Sequence, residues 1–274
     1  MIDPVSIEYR DLEQLGTIQQ SIFQSAVPFP HIYFDNFFDQ HILNQVLNEF
    51  PDLSRIERHK INNPRQRKFA TNGTDSFGVT TSSLLNFMNG DVFLNFLQII
   101  TSINEPLISD STFLGGGLHE IKRSGLLKIH TDFAKHRITN LDRRLNVLVF
   151  LNKNWKDEYG GGLELWDANM STCKVKIAPI FNRLVIFETT QESFHGHPDP
   201  LLCPAHITRK SIALYYYSQG RPKSQSQTWE KSKEATTFYA RPGSTEDTNA
   251  LDDYSLQTRV INKIKRILGR RNNE

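Results

Sequence analysis

Between positions 145 and 217 the chain places four short apolar runs in succession: 145–151 (L-N-V-L-V-F-L), 163–166 (L-E-L-W), 183–188 (R-L-V-I-F-E) and 211–217 (S-I-A-L-Y-Y-Y). Each is of strand length and most are rich in β-branched and aromatic residues, and glycine- or proline-bearing turns lie between them. This succession predicts a mainly β protein with supporting helices, a sandwich or barrel whose open mouth can carry a site.

The polar residues that punctuate those runs have a chemistry in common. His130 and Asp132 stand just before the first run, His195 and His197 follow the third, and Arg209 heads the fourth. Side chains alternate along a strand, so His130 and Asp132 face one side and can approach one metal, with Thr131 turned away. Two imidazoles and one carboxylate on one face of an octahedral ferrous ion leave the opposite positions open for dioxygen and a bidentate 2-oxo acid. His195 and His197 alternate onto the same side, so either could be the third ligand on parity; His195 is closer to the end of the apolar strand. The planar fork of Arg209 suits a carboxylate held bidentately. A zinc hydrolase can also use two histidines and a carboxylate, but the sequence has no H-E-x-x-H and zinc chemistry has no need of the arginine. A jelly roll retained only for binding is the other alternative. His119, His136 and His206 are read as packing or surface residues.

The segment 110–220 resembles the catalytic core of the 2-oxoglutarate- and Fe(II)-dependent dioxygenases and, within them, the prolyl 4-hydroxylase branch. The matching pieces are H-T-D at 130–132, F-L-N-K-N-W at 150–155, G-G-G-L-E-L-W at 160–166, P-I-F-N-R-L-V-I-F at 179–187, H-G-H-P at 195–198 and T-R-K-S-I-A-L-Y-Y-Y at 208–217. The resemblance implies a double-stranded β-helix, the cupin-like jelly roll, over 111–220. It implies a support region of helices and strands over 1–110 and a C-terminal extension over 221–274. Carried over, His130, Asp132 and His195 are the metal ligands and Arg209 grips the distal carboxylate of 2-oxoglutarate, with His197 placed to orient water, succinate or substrate. Ser211 shares the strand parity of Arg209 and is a candidate hydrogen-bond donor to that carboxylate. Some prolyl hydroxylases have a tyrosine where Phe150 stands, so a hydroxyl from elsewhere, such as Thr139, is a candidate replacement. The implied reaction hydroxylates an unactivated carbon of a prolyl residue or free proline, or of another small molecule, and releases succinate and carbon dioxide. The implied cofactors are Fe(II) and 2-oxoglutarate, with ascorbate as a candidate reductant; dioxygen and a peptide or small-molecule substrate complete the partners.

Elsewhere the sequence sets bounds. The 31–34 run reads as a strand. Ile42, Leu43, Val46 and Leu47 read as a helix face, and a second helical pattern runs from Thr81 through Leu97 with Gly90 as a break. The basic run Arg55, Arg58, Lys60, Arg65, Arg67 and Lys68 is read as a solvated loop. The stretch 135–144 is read as a lid whose Arg137, Arg143 and Arg144 favour an anionic substrate. Residues 219–252 are polar and without periodicity, and read as extended chain over the surface or the site mouth. Val260, Ile264, Ile267 and Leu268 mark a terminal basic amphipathic helix that docks on the core or on a second copy, a route to a homodimer. A formal net charge of +2 gives no support to nucleic-acid binding. Two cysteines give no disulfide framework. With no membrane span and no secretory leader pattern, a cytoplasmic enzyme is expected.

Overall fold

The computed structural model describes residues 4–55, 60–71, 73–222, 235–255 and 258. Helix α1 (Leu12–Ser25) is followed by β1 (His31–Asp35), α2 (Gln40–Glu49), the hairpin β2 (Lys60–Asn63) and β3 (Gln66–Ala70), α3 (Val79–Met88) and α4 (Asp91–Thr101). Then come β4 (Ile108–Ser109), β5 (Gly117–Ile121), β6 (Leu126–Thr131), β7 (Asp142–Phe150), β8 (Leu163–Trp166) and β9 (Cys173–Ile177). β10 (Arg183–Glu188), β11 (His195–His197), β12 (Arg209–Ser218) and β13 (Thr237–Phe238) follow. The strands pair antiparallel along the path β1-β10-β7-β12-β5-β3-β6-β11-β8-β9, with β2 on β3, β4 on β12 and β13 on β6.

The central strands are near-continuous apolar runs because both of their faces are covered. Val147 and Val149 of β7, Leu184 and Ile186 of β10, and Ile212 and Leu214 of β12 face a helical layer, where they join Phe23, Phe93, Phe96 and Ile100. Residues of opposite parity point the other way: Phe150, Val185 and Phe187 pack with Leu163, Leu165 and Ile177 across the interior. The polar members of that inner face are therefore the ones delivered to a cavity.

The expected 31–34 strand and the helices after Asp39 and around Thr81–Leu97 are present. Asp39 caps α2 by accepting from the His41 and Ile42 amides at 2.9 and 3.1 Å. Helix α1 packs Leu12, Leu15 and Phe23 against the core while Ile18 and Ile22 are exposed. Gly16 brings it against Ile99 of α4 so closely that a Cβ would lie 3.0 Å from the Ile99 side chain. The described part of the 55–68 basic run is a β-hairpin rather than a solvated loop, because β3 pairs with both β5 and β6. Within 219–252, residues 237–238 form β13 and 245–255 are helical. Ser244 caps that helix by accepting from the Asp247 amide at 3.1 Å, and Asp247 pairs at 2.6 Å with the buried Lys128 ammonium of β6. The terminal amphipathic pattern at 260–268 lies outside the described residues. Cys173 and Cys203 are free thiols. No helix among the described residues is long and apolar enough to cross a membrane.

Asn182, just before β10, ties that strand to the loop that follows β1. It sits in the left-handed region, with φ 63°, and its side-chain amide accepts from the Phe38 amide at 2.9 Å and donates to the Phe38 carbonyl at 2.7 Å. Asn182→Ala strands both buried backbone groups and is expected to cost about 3 kcal/mol, read as a lower urea midpoint at unchanged m-value. A midpoint equal to that of the parent would show that water replaces the amide.

Candidate active site

Strand β6 carries His130, with Asp132 one residue past its end, and β11 carries His195. The two strands pair with His195 directly opposite His130, and their rings lie 4.3 Å apart. Asp132 Oδ1 is 3.8 Å from His130 Nε2, and Oδ2 is 3.4 Å from His195 Nε2. One ligand atom from each of the three lies within 4.8 Å of the others, a spacing that one metal ion could bridge. Gly196 permits this close register: a Cβ there would meet the Leu127 and Lys128 carbonyls at 2.8 and 3.0 Å.

Each imidazole is oriented through its far nitrogen. His130 Nδ1 lies 3.0 Å from the Lys128 carbonyl and His195 Nδ1 lies 2.8 Å from the Ser193 carbonyl. A carbonyl only accepts, so Nδ1 carries the proton and Nε2 presents its lone pair to the centre. Burial, then the neighbouring His195, pushes the His130 ring down to about 3 against the pull of Asp132; burial lowers His195 as well. Both rings are therefore neutral at physiological pH, the state that ligates. Burial alone would raise the Asp132 carboxyl, but Arg143 and the two imidazoles outweigh it and hold it well below the usual carboxylate range.

Asp132 is itself held in place. Asn146 Nδ2 donates to its Oδ2 at 2.7 Å, and Arg143 Nη2 lies 3.1 Å from the same oxygen. Arg143 in turn donates to Asn146 Oδ1 through Nε at 3.1 Å and through Nη2, with its guanidinium 3.5 Å from the Tyr215 ring centre and 4.5 Å from that of Phe133. This corrects the reading of Arg143 and Arg144 as lid residues. Both lie on β7 and are buried, and Arg144 pairs with Glu105 at 2.7 Å. Of the three arginines only Arg137 is exposed, and it lines the cavity rim.

The cavity measures about 520 Å³, within the roughly 300–1,000 Å³ usual for small-molecule sites. His130, Asp132 and His195 line it, as do His197, Arg209 and Ser211. Arg209 Nε donates to the Gly161 carbonyl at 2.7 Å, and its guanidinium lies 4.8 Å from the centre of the Phe150 ring. Gly161, at φ 74°, is needed there, since a Cβ would stand 3.0 Å from Arg209 Cδ. Burial lowers Arg209 to about 9, which leaves it charged at neutral pH, and no carboxylate pairs with it among the described residues.

His195, not His197, belongs to the cluster with Asp132. Both ring nitrogens of His197 are buried without a partner among the described residues. Thr139 is exposed, its amide 3.1 Å from His136 Nδ1, and it does not line the cavity, so it cannot replace a hydroxyl at Phe150. His119, expected to be ordinary packing, lines the cavity and contacts the Gly115 carbonyl at 3.1 Å. His136 is structural, facing Asp110 at 3.5 Å, and His206 is exposed. Asn146 was missed at the sequence level; the available signal was an asparagine on the inward parity of an otherwise apolar strand.

Residues 116–217 match the family model of the 2OG-Fe(II) oxygenase superfamily. The structure is similar to a Pseudomonas putida prolyl-4-hydroxylase at 14% identity, covering 75% of this chain and 100% of that one with a TM-score of 0.52. It is similar to a Phytophthora capsici prolyl 4-hydroxylase at 18% identity (80% and 73% covered, TM-score 0.53). A Trichoplax adhaerens prolyl hydroxylase, solved with a hypoxia inducible factor peptide, is similar at 20% identity (77% and 92% covered, TM-score 0.50). No curated protein matches the chain in sequence. The fold is thus the double-stranded β-helix shared with prolyl 4-hydroxylases. The segment 116–217, which carries His130, Asp132, His195 and Arg209, is the part of the chain similar to the 2OG-Fe(II) oxygenase superfamily.

Because Asn146 both orients Asp132 and satisfies Arg143, Asn146→Ala is expected to weaken Mn(II) binding about 10- to 100-fold with the fold retained. Unchanged Mn(II) affinity would mean that Arg143 alone fixes the carboxylate.

Proposed function

We propose that the chain hydroxylates an unactivated carbon of a prolyl residue or of free proline. His130, Asp132 and His195 hold ferrous iron, and Arg209 binds the distal carboxylate of 2-oxoglutarate. The observation that carries this reading is the meeting, in one cavity, of two neutral imidazoles and an anionic carboxylate with a buried arginine that has no carboxylate partner among the described residues. The donor set fits the metal: two nitrogen donors and one oxygen converge from one side and leave the cavity side open. Bound iron supplies the oxygen chemistry, with 2-oxoglutarate as the co-reductant that leaves as succinate and carbon dioxide.

The remaining work belongs to the protein. Lys128 and Ser193 carbonyls fix the two rings, Asn146 and Arg143 fix the carboxylate, and Gly161 fixes the arginine. Phe150 replaces a tyrosine hydroxyl by a flat apolar surface beneath the Arg209 guanidinium, which makes Ser211 the hydroxyl placed closest along the strand to that carboxylate site. Phe187 lies 4.7 Å from the His195 ring and Phe238 5.4 Å from that of His130, and these aromatic walls keep bulk water from the ligand atoms. A second reading, hydroxylation of a different amino acid or small metabolite, is favoured by the cationic lining of the cavity, which a neutral prolyl peptide does not require.

Anaerobic Fe(II) and 2-oxoglutarate should give a visible charge-transfer band, and admission of oxygen with ascorbate should release succinate faster with prolyl peptides or free proline than without. No stimulation by either, with stimulation by another amino acid, would select the second reading. Arg209→Ala should weaken 2-oxoglutarate binding about 10- to 100-fold while Mn(II) affinity stays constant. His195→Ala should lose the metal where His197→Ala keeps it; the reverse would exchange their roles.

A further inference from the structure

The 55–68 basic run brings two cations to the cavity that the oxygenase machinery does not use, Arg65 and Lys68. On β3 the alternating residues Gln66, Lys68 and Ala70 line the cavity, while Arg67, between them, is exposed on the other face. β3 pairs with β6 through Gln66 and Arg67 and with β5 through Phe69 and Ala70. Lys68 therefore stands where the strand passes from one neighbour to the other, on the face that lines the cavity.

The other cations of the lining have partners or are solvated. Arg143 is committed to Asp132 and Asn146. Arg65 lies over the rings of Tyr254 and Phe238, at 3.2 and 4.5 Å. Arg209 is held by Gly161 and assigned above to the cosubstrate, and Arg137 is exposed. Lys68 has no hydrogen-bond acceptor and no ion-pair partner among the described residues. Its ammonium, pushed down to about 8 by burial, is still charged at neutral pH. Asp132, Arg143 and Arg209, which act on it electrostatically, line the same cavity.

Charge balance indicates what it awaits. Among the described residues the lining holds five cationic side chains, Arg65, Lys68, Arg137, Arg143 and Arg209, against one carboxylate, Asp132. A ferrous ion and the 2-oxoglutarate dianion cancel each other, so loading the site leaves that excess in place. A partly buried ammonium without a counter-ion is costly, and an anion arriving with the substrate removes the cost.

We propose that Lys68 forms an anion subsite for the primary substrate, selecting a molecule that carries a carboxylate, phosphate or sulfate group close to the carbon to be hydroxylated. This rests on the oxygenase reading above and specifies its substrate class. Free proline and other amino acids meet the requirement through their own carboxylate, and a prolyl peptide meets it only with an acidic neighbour.

The test uses the full chain loaded with Mn(II) and saturating 2-oxoglutarate, which does not turn over, with inorganic sulfate as probe and calorimetry as readout. Lys68→Met should bind sulfate roughly ten-fold or more weakly than the parent, whereas Lys68→Arg and the outward-facing control Arg67→Met should stay within about three-fold. All variants should keep the parent affinity for 2-oxoglutarate. Sulfate binding that is absent from the parent, or equal in Lys68→Met, would overturn the proposal. So would a collapse of 2-oxoglutarate affinity in Lys68→Met, which would put the lysine in the cosubstrate site. A parent that binds Mn(II) but no 2-oxoglutarate would instead overturn the oxygenase reading, and the proposal with it.

Discussion

The antiparallel pairing of β11 with β6 is the contact on which the site depends. It sets His195 opposite His130, and a slip of one residue would turn a histidine to the far side of the sheet. The register is irregular between His195 and His197, so the alternation that would put both on one ligand set is broken there. Gly196 is what lets the short strand lie against the β6 backbone. Side-chain chemistry supplies the donors, but backbone pairing brings together residues separated by more than sixty positions.

The second constraint is electrostatic. Burying Asp132 would by itself favour the protonated acid, and a protonated acid is a poor ligand. Arg143, foremost among its neighbours, reverses the balance, but a buried arginine needs support of its own, and it has it from Asn146, Phe133 and Tyr215. The carboxylate, the arginine, the asparagine and two rings act as one unit, so the first coordination contact is only as well placed as β7, which contributes both Arg143 and Asn146.

Much of this was legible in the sequence where local pattern and long-range pairing agree. The apolar runs of β7, β10 and β12 declare strands buried on both faces, and H-x-D at 130–132 declares a shared side. Less legible were features decided by tertiary contact. In helix α1 the close approach to α4 is made by Gly16, not by a large side chain, so the apolar pattern does not mark it. Arg143 and Arg144 look like surface charges in a polar stretch, yet their strand begins at Asp142, and partners as distant as Glu105 and Ser218 allow their burial. Lys68 reads as one charge in a basic run until β3 is seen to pair with β5 and β6, which turns alternate residues of that run inward. Thr139, a candidate for the hydroxyl that Phe150 lacks, is turned to solvent by the turn that follows His136.

The C-terminal segment shows how the wall of the cavity is tied to its floor. β13 pairs with β6 so that Phe238 lies opposite His130, and the next turn brings Asp247 to the buried ammonium of Lys128 on the same strand. A buried ion pair gives little net stability when both partners must be desolvated, but breaking it leaves a charge stranded, so it fixes one arrangement against alternatives. Here the arrangement fixed is the one that lays an aromatic ring beside a proposed ligand. Strand β6 therefore holds the cluster on one side, pairs with β3 and its Lys68 on another, and anchors the covering segment through Lys128. Displacement of this one strand would disturb the metal-binding cluster, the cationic subsite and the aromatic wall together.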